Sequence, residues 1–202
     1  MEISMTIASI KELVQQTLKT PRLAATRLLA LRLPPEWLWM ALLLMTVLNA
    51  IVYSVSQILL PMPDPQAMAM MPAAFKSPVL FTIFLGGSLV ISVFVMTWIG
   101  RALDGKALIN DILVLICWLQ VMRLGLQVIV LILMLAAPVL GGLLVMVASV
   151  WGIVILVAFL DVAHDFKNVG RAIMVMVLAV AAMVVGLSVI LGVISVVILG
   201  AG

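Results

Sequence analysis

The sequence predicts an all-α, polytopic membrane protein with five transmembrane helices and an N-terminal amphipathic helical segment at the membrane interface. Of its 202 residues, 66% are apolar and 9% are charged, whereas roughly 25% are charged in an ordinary soluble domain. The mean hydropathy is +1.41. Because so few charged residues cannot cover a soluble core, apolar surface must face lipid, which excludes the soluble cytosolic and secreted classes.

The cysteine count and the distribution of charge limit which metal sites, disulfides and charged ligands the protein can have. Cys117, which lies in an apolar stretch, is the single cysteine, so the sequence indicates neither a disulfide framework nor a cysteine metal site. The net charge is +3. Because the basic residues flank apolar segments, we expect them to meet anionic lipid headgroups and not nucleic acid.

Residues 1–33 are predicted to form basic, amphipathic helices at the cytoplasmic surface of the membrane and to be retained. Charged residues interrupt the first twenty positions, so no continuous apolar core of signal-peptide length is present. Thr20-Pro21 indicates the N-cap and first residue of a second helix. Ser9 and Glu12 could form a capping box, in which case the first helix would begin at Ser9 and not before it. The apolar stripe of the first helix suits either the membrane interface or packing on the ends of the bundle: Ile3, Ile7, Ile10, Val14 and Leu18.

Residues 34–202 are predicted to form the five-helix transmembrane domain. The uncharged run from Leu124 to Leu160 has 37 residues, which as one helix would extend about 55 Å, nearly twice the thickness of a hydrocarbon core. It must therefore turn, and Ala137-Pro138 with Gly141-Gly142 is the predicted place. A proline-rich connection, Pro61 to Pro78, separates the first two spans. The predicted spans are approximately 36–60, 79–100, 112–136, 139–160 and 172–199.

The basic residues predict the orientation of these spans. With Arg123 assigned to the membrane interior, nine basic residues fall on one side and only Lys76 on the other. The positive-inside rule then places the N-terminus in the cytoplasm and the C-terminus outside. The nine are Lys11, Lys19, Arg22, Arg27, Arg32, Arg101, Lys106, Lys167 and Arg171.

Polar side chains inside the predicted spans form two stripes. Placing an arginine at the bilayer centre costs roughly 2.5 to 3.5 kcal/mol, so the position of Arg123 within a predicted span requires an explanation. Three interpretations stay open: snorkelling to the interface, a hydrogen-bonded role in packing, and a functional site. We expect the stripes of spans one and three to meet, giving an intramembrane polar cluster of Asn49, Tyr53, Gln57, Gln120, Arg123 and Gln127.

The two polar loops after spans two and four are predicted to form a solvated cytoplasmic ridge for a partner. Both loops read A-x-D-x-K-x5-I, beginning at Ala102 and Ala163, so duplication of a helical hairpin is a hypothesis. The pair His164-Asp165 is a poor metal or acid–base site, because neighbouring residues of a helix point in different directions and no second His or Cys is near. We expect no metal or cofactor. The predicted partner surface comprises Arg101, Asp104, Lys106, Asp111, Asp161, His164, Asp165, Lys167 and Arg171.

Four patterns together resemble a known membrane-protein family. They are Thr20-Pro21-Arg22, Arg101-Ala102-Leu103-Asp104-Gly105-Lys106, Trp118, and Ala163-His164-Asp165-Phe166-Lys167-Asn168-Val169-Gly170-Arg171-Ala172. On these residues the chain resembles the Yip family of Rab-GTPase-interacting membrane proteins, in its bacterial branch. The resemblance implies a cytoplasmic N-terminus, five helices and an exposed C-terminus. Eukaryotic relatives bind prenylated Rab GTPases, but their long hydrophilic N-terminal region and DLYGP motif are absent, so Rab binding is not carried over.

Two functions follow as hypotheses. The first is a non-enzymatic scaffold or adaptor in a bacterial inner membrane, which binds anionic lipid headgroups and a membrane-protein partner or a second copy of itself. The alternative is a small transporter, channel or lipid-moving protein with a polar path around Arg123. A membrane-embedded hydrolase is the third and weakest reading, because His164 is the only imidazole and has no nucleophile beside it.

Overall fold

The computed structural model describes residues 7–60, 75 and 77–199, with side chains through residue 186. Within these ranges the regular secondary structure is entirely helical. Five of the helices are long and apolar enough to cross a membrane. The predicted fold class is therefore confirmed. The helices are α1 (Ile7–Lys19), α2 (Pro21–Ala30), α3 (Pro35–Leu59), α4 (Pro78–Ala102), α5 (Ile109–Ala136), α6 (Pro138–His164) and α7 (Val169–Leu199).

The helices extend further into the charged connections than the sequence predicted. Asp111 lies in the first turn of α5, where its carboxylate accepts a hydrogen bond from the Leu108 N–H at 2.8 Å. Asp161 lies in the last turn of α6. Placing both residues in loops was wrong. The Asp111 carboxylate stabilises the start of α5, where a helix favours a negative charge, and the Asp161 carboxylate accepts the Asn168 N–H of the connector that follows α6. Most of the connection Pro61 to Pro78 lies outside the described residues.

Prolines lie at the helix boundaries that the sequence predicted. α5 ends at Ala136, and α6 begins with Pro138 at its first position. Pro21 takes the same position in α2, because its missing N–H is one that a helix start leaves without an intrahelical partner. Thr20 precedes it but does not cap α2 with its side chain, since the hydroxyl donates back to Gln16 O at 3.3 Å. Ser9 lies inside α1 and not at its start.

The five long helices form a bundle in which α5 packs against α3 and α6, while α4 packs against α3 and α7. One end carries α1, α2 and the two connectors 103–108 and 165–168. We call it the basic end. Its core is the start of α5, where every residue from Ile112 to Trp118 is buried. Toward the opposite end, side chains of α5 and α6 such as Ile132 and Val139 are exposed, as expected for a surface in contact with lipid.

The N-terminal helices pack on the basic end of the bundle. Leu13 of α1 and Leu28 of α2 are buried, and α2 contacts both α5 and α6. Two indole groups fix α1: the Trp118 N–H donates to Thr17 Oγ1 at 2.8 Å, and the Trp151 N–H donates to Leu18 O at 3.0 Å. The packed face of α1 is that of Leu13 and Thr17, whereas the predicted stripe residues Ile10 and Leu18 are exposed, so the interpretation that this stripe packs on the ends of the bundle was wrong.

The buried bond between Trp118 and Thr17 gives a test of this packing. We expect Thr17→Val to lower the free energy of unfolding by about 1–3 kcal/mol, because it leaves the indole N–H without its acceptor at nearly constant volume. Unfolding followed by tryptophan fluorescence measures the change. The matched control is Thr26→Val, whose exposed hydroxyl bonds only to Arg22 O and whose loss should cost less than about 0.5 kcal/mol. Equal stabilities of the two variants would contradict the packing.

Candidate functional site

The two connectors of the basic end meet directly. The Lys106 N–H donates to His164 O at 3.0 Å, which joins the α4–α5 connector to the end of α6. The Gly105 N–H donates to Gly100 O at 2.8 Å and holds the same connector against α4. Because both bonds are between backbone atoms, they fix the relative position of the connectors independently of the charged side chains. We call residues 103–108 and 165–168 the connector pair.

His164 is enclosed beneath the connector pair. Its side chain is fully buried, and its ring stacks on Phe166 with a centroid distance of 5.0 Å and an interplanar angle of 18°. A Cβ built on Gly100 or Gly105 would overlap the imidazole. Neither ring nitrogen has a hydrogen-bond partner among the described residues. The prediction that His164 lies on a solvated ridge was wrong, because two glycines leave a space that the imidazole fills.

Asp161 is also buried, at 3% exposure, and ties three elements together. Its carboxylate forms an ion pair with Arg22 of α2 at 2.6 Å and accepts a hydrogen bond from the Asn168 N–H at 3.0 Å. The expectation of solvent exposure for Asp161 was likewise wrong. A carboxylate is buried here because a guanidinium and a backbone donor replace its water.

The exposed charges of the connector pair form ion pairs across it. Lys106 Nζ lies 2.8 Å from Asp165 Oδ2, and Lys167 Nζ lies 3.8 Å from Asp165 Oδ1. Arg171 lies 3.8 Å from Asp104. The hydrogen bond from Lys106, and then its charge, lower the pKa of Asp165, and the same contact raises the pKa of Lys106. All these side chains are exposed, so their pairing contributes little to stability.

The A-x-D-x-K pattern shared by the two loops, which we call the sequence echo, is accompanied by a shared backbone conformation. Asp104 and Asp165, which share the third position of A-x-D-x-K, have φ angles of 65° and 54° in the left-handed region. Aspartate tolerates this conformation better than most side chains. Each carboxylate pairs with a cation near the other loop, since Lys106 reaches Asp165 and Arg171 reaches Asp104. The echo residues therefore contact one another, and hairpin duplication stays a hypothesis.

The remaining residues of the predicted partner surface lie at the same end. Arg101 is exposed in the last turn of α4, and Asp111 is half-buried at the start of α5. Seven of the nine predicted residues are at least partly accessible, while Asp161 and His164 are buried beneath them. Sequence reasoning did not place Arg22, Gly100 or Gly105 in this site. The ion pair and the glycine contacts join residues far apart in the chain, which no local pattern indicates.

The predicted intramembrane stripes meet at Asn49, which is fully buried. Its amide donates to Met45 O at 2.7 Å on its own helix and to Gln120 O at 3.3 Å on α5. Nearby on α3, the Gln57 amide donates to the Tyr53 hydroxyl at 2.6 Å, and the Tyr53 ring stacks on Phe81 at 4.0 Å. Asn49, Tyr53 and Gln57 therefore contribute side-chain contacts within the bundle, whereas Gln120 contributes its backbone carbonyl. The side-chain oxygens Asn49 Oδ1 and Gln120 Oε1 are buried without a donor among the described residues.

Arg123 and Gln127 take part in none of those contacts, but together with Tyr53 they line a cleft of about 450 Å³ between α3, α5 and α6. Arg123 is exposed, and no ion pair or hydrogen bond joins it to another described residue. Gln127 Oε1 is buried and has no donor among the same residues. We call this the α3–α6 cleft. Its lining residues are Tyr53, Ser56, Leu60, Arg123, Leu126, Gln127, Val130, Leu131, Met134, Val145, Ala148 and Ser149.

A family model described as the Yip1 domain matches residues 16–190. The chain belongs to the Yip1 family. The matched segment begins within α1 and ends within α7, so it contains the connector pair, the buried Asp161 and the α3–α6 cleft. Neither the curated proteins nor the solved structures contain a match to the chain. The Yip resemblance is confirmed at the level of the family.

Yip1 membership and the five apolar helices establish a multi-pass membrane protein of this family. Among the described residues, no group of three or more His, Cys, Asp or Glu side chains is arranged to hold a metal ion. Cys117 is buried, with its thiol 3.3 Å from Leu38 O. The accessible polar chemistry of this Yip1 protein therefore lies in the connector pair with its flanking charges and in the α3–α6 cleft.

Proposed function

We propose that this Yip1-family protein is a non-enzymatic membrane adaptor of a bacterial inner membrane. Its basic end faces the cytoplasm and binds anionic lipid headgroups and a membrane-protein partner, which is either another protein or a second copy. One observation carries the proposal: of the charged side chains in the described part of the chain, all except Arg123 lie at the basic end. The positive-inside rule supports this orientation, since nine basic residues gather there.

The arrangement of the connector pair supports a binding surface at this end. Lys167 is 85% exposed, and Asp104 is 88% exposed, yet backbone bonds and the buried Asp161 hold the connectors that carry them. A surface that is already ordered loses less conformational entropy when a partner binds. Charged side chains on a fixed surface also select a partner of complementary charge.

The placement of the reactive side chains supports an adaptor over an enzyme. His164 is enclosed by glycines and Phe166, and Cys117 is buried beside a backbone carbonyl. A general base or nucleophile must reach its substrate within hydrogen-bond distance. Neither side chain is accessible for that role in this arrangement.

Charge reversal at two exposed cations tests the adaptor function. Arg101→Glu and Lys167→Glu together should reduce the partner recovered by affinity purification after crosslinking in cells by at least about tenfold, because like charges on a docking surface repel. Neither residue holds the connectors: Arg101 forms no ion pair with a described residue, and Lys167 pairs only loosely with Asp165. The unfolding temperature should stay unchanged. The control is Lys11→Glu on the exposed face of α1. Undiminished recovery with the double variant would refute the adaptor function.

The α3–α6 cleft favours a second candidate, a small transporter or lipid-moving protein. Arg123 and Gln127 supply polar groups within an otherwise apolar span. Flux of anionic solutes or lipids in reconstituted vesicles tests this candidate. Flux that persists at the wild-type level in Arg123→Leu would contradict it.

A further inference from the structure

We propose that the α3–α6 cleft binds an amphiphile from the bilayer, whose anionic, hydroxyl-bearing headgroup pairs with Arg123 and Gln127 and whose apolar chain lies along the cleft. This site is separate from the adaptor surface; it is the cleft of the second candidate function, but the inference concerns lipid binding, which is measured without flux. The ligand class follows from three features of the cleft: the position of the cation, the buried acceptor beside it, and the side from which the cleft is open.

Arg123 lies in the middle of its helix. About 21 Å of helix separate it from Ile109, and about 20 Å separate it from Ala136. One arginine side chain cannot extend to either end over that distance, so snorkelling does not solvate its charge. A guanidinium at this depth without a partner is costly. Because no described carboxylate contacts it, an anionic group from outside the described chain is the natural occupant.

Gln127 lies one helical turn beyond Arg123 and lines the same cleft. Its buried Oε1 accepts no hydrogen bond from a described donor. A buried carbonyl oxygen requires a donor, which a carboxylate or a phosphate diester cannot supply. A headgroup that carries a hydroxyl beside its anionic group satisfies both side chains at once.

The shape of the cleft fits an apolar chain that enters from the side. α3 and α6 both pack on α5 but make few contacts with each other, so among the described residues the cleft is open on the side away from α5. From Arg123 toward the opposite end of the bundle, its floor is Leu126, Val130, Leu131 and Met134. Met134 lies about 16 Å beyond Arg123 along α5. A cleft of about 450 Å³ is within the range of ligand sites.

Native mass spectrometry of the full chain in detergent, with defined lipids added, tests the site. Wild-type protein should retain phosphatidylglycerol at least about tenfold over phosphatidylcholine. Arg123→Leu should lose most of this preference, leaving only what the cations of the basic end support, while Arg123→Lys should keep part of it. The control is Val128→Leu, which changes an exposed side chain of the same helix outside the cleft and should bind as wild type does. An equal loss in both leucine variants, or no loss in Arg123→Leu, would overturn the proposal.

A second pair of variants leaves Arg123 unchanged and alters the volume of the cleft. Ala148 lines the cleft, whereas its neighbour Val147 is 66% exposed and does not. We therefore expect Ala148→Phe to reduce phosphatidylglycerol retention about tenfold and Val147→Phe to leave it unchanged. Equal retention by the two variants would contradict a site in the cleft.

Two further experiments identify the headgroup that binds in the cleft. Phosphatidylglycerol should be retained over oleate and over phosphatidylmethanol, because neither competitor offers a hydroxyl beside its anionic group. Preferential retention of either competitor would overturn the headgroup assignment. The sequence also contains Asp64 in the connection between α3 and α4. If wild-type protein shows no lipid preference and Asp64→Asn acquires one, the chain neutralises its own arginine and the proposal is wrong.

Discussion

Replacing Gly100 with alanine is expected to lower the free energy of unfolding by about 3 kcal/mol, the largest effect among the substitutions considered for the basic end. The added Cβ would overlap the imidazole of His164. That ring is fully buried and stacked on Phe166, so it has no free space into which it can move. The backbone of α4 or α6 must shift instead, which disturbs the bond from Lys106 to His164 O.

The measurement for Gly100→Ala is unfolding in mixed micelles followed by circular dichroism. Gly87→Ala is the matched control on the same helix, because a Cβ there meets nothing within 4 Å and alanine favours a helix over glycine. Shortening the imidazole with His164→Ala in the Gly100→Ala background should recover most of the lost stability, a non-additive result. If the double variant loses, relative to wild type, the sum of the two single losses, the two residues are not in contact.

Replacing Asp161 with leucine is expected to cost about 2–3 kcal/mol and to release α2 from the bundle. The substitution leaves the Asn168 N–H without an acceptor and Arg22 without its carboxylate. Because the Arg22 side chain is 56% exposed, water solvates its guanidinium after the carboxylate is removed. We therefore expect a smaller loss of stability than for a fully buried ion pair. Trypsin should then cleave faster after Arg22 and Arg27 than in the wild-type protein.

The Glu12–Arg27 pair provides the comparison for Asp161→Leu. Both of its side chains are well exposed, and their closest atoms lie 3.1 Å apart. We expect Glu12→Gln to change the free energy of unfolding by less than about 0.5 kcal/mol and to leave the cleavage rate unchanged. Similar proteolysis of Asp161→Leu and Glu12→Gln would show that Asp161 does not hold α2.

The long helices could be predicted because their signal is local. A run such as Leu124 to Leu160 excludes a soluble segment by composition alone, and Pro138 marks its turn. The ends were less certain, since a charged residue is compatible with either a loop or a helix terminus. Asp111 and Asp161 lie on helices because each accepts a backbone N–H, a contact that composition does not reveal.

The candidate sites were predicted only where residue type and periodicity carry the information. The helical spacing of Gln120, Arg123 and Gln127 placed them on one face, and Arg123 and Gln127 line the same cleft, whereas Gln120 contacts Asn49 through its backbone carbonyl. The enclosure of His164 depends on Gly100 of another helix, and the burial of Asp161 depends on Arg22 of α2. Such long-range contacts depend on the packing of the helices, which hydrophobic patterns specify only in outline.

Labelling of single cysteines from either side of the membrane tests the central claim, that the N-terminal helices and both connectors lie on one side of a five-span bundle. In a Cys117→Ala background, cysteine is placed at Lys11, Lys106, Lys167 or Ser77, the last of which precedes α4 at the opposite end. An impermeant maleimide should label Lys11→Cys, Lys106→Cys and Lys167→Cys only in inside-out vesicles, and Ser77→Cys only in right-side-out vesicles. Labelling of Lys106→Cys and Lys167→Cys from different sides would contradict the account.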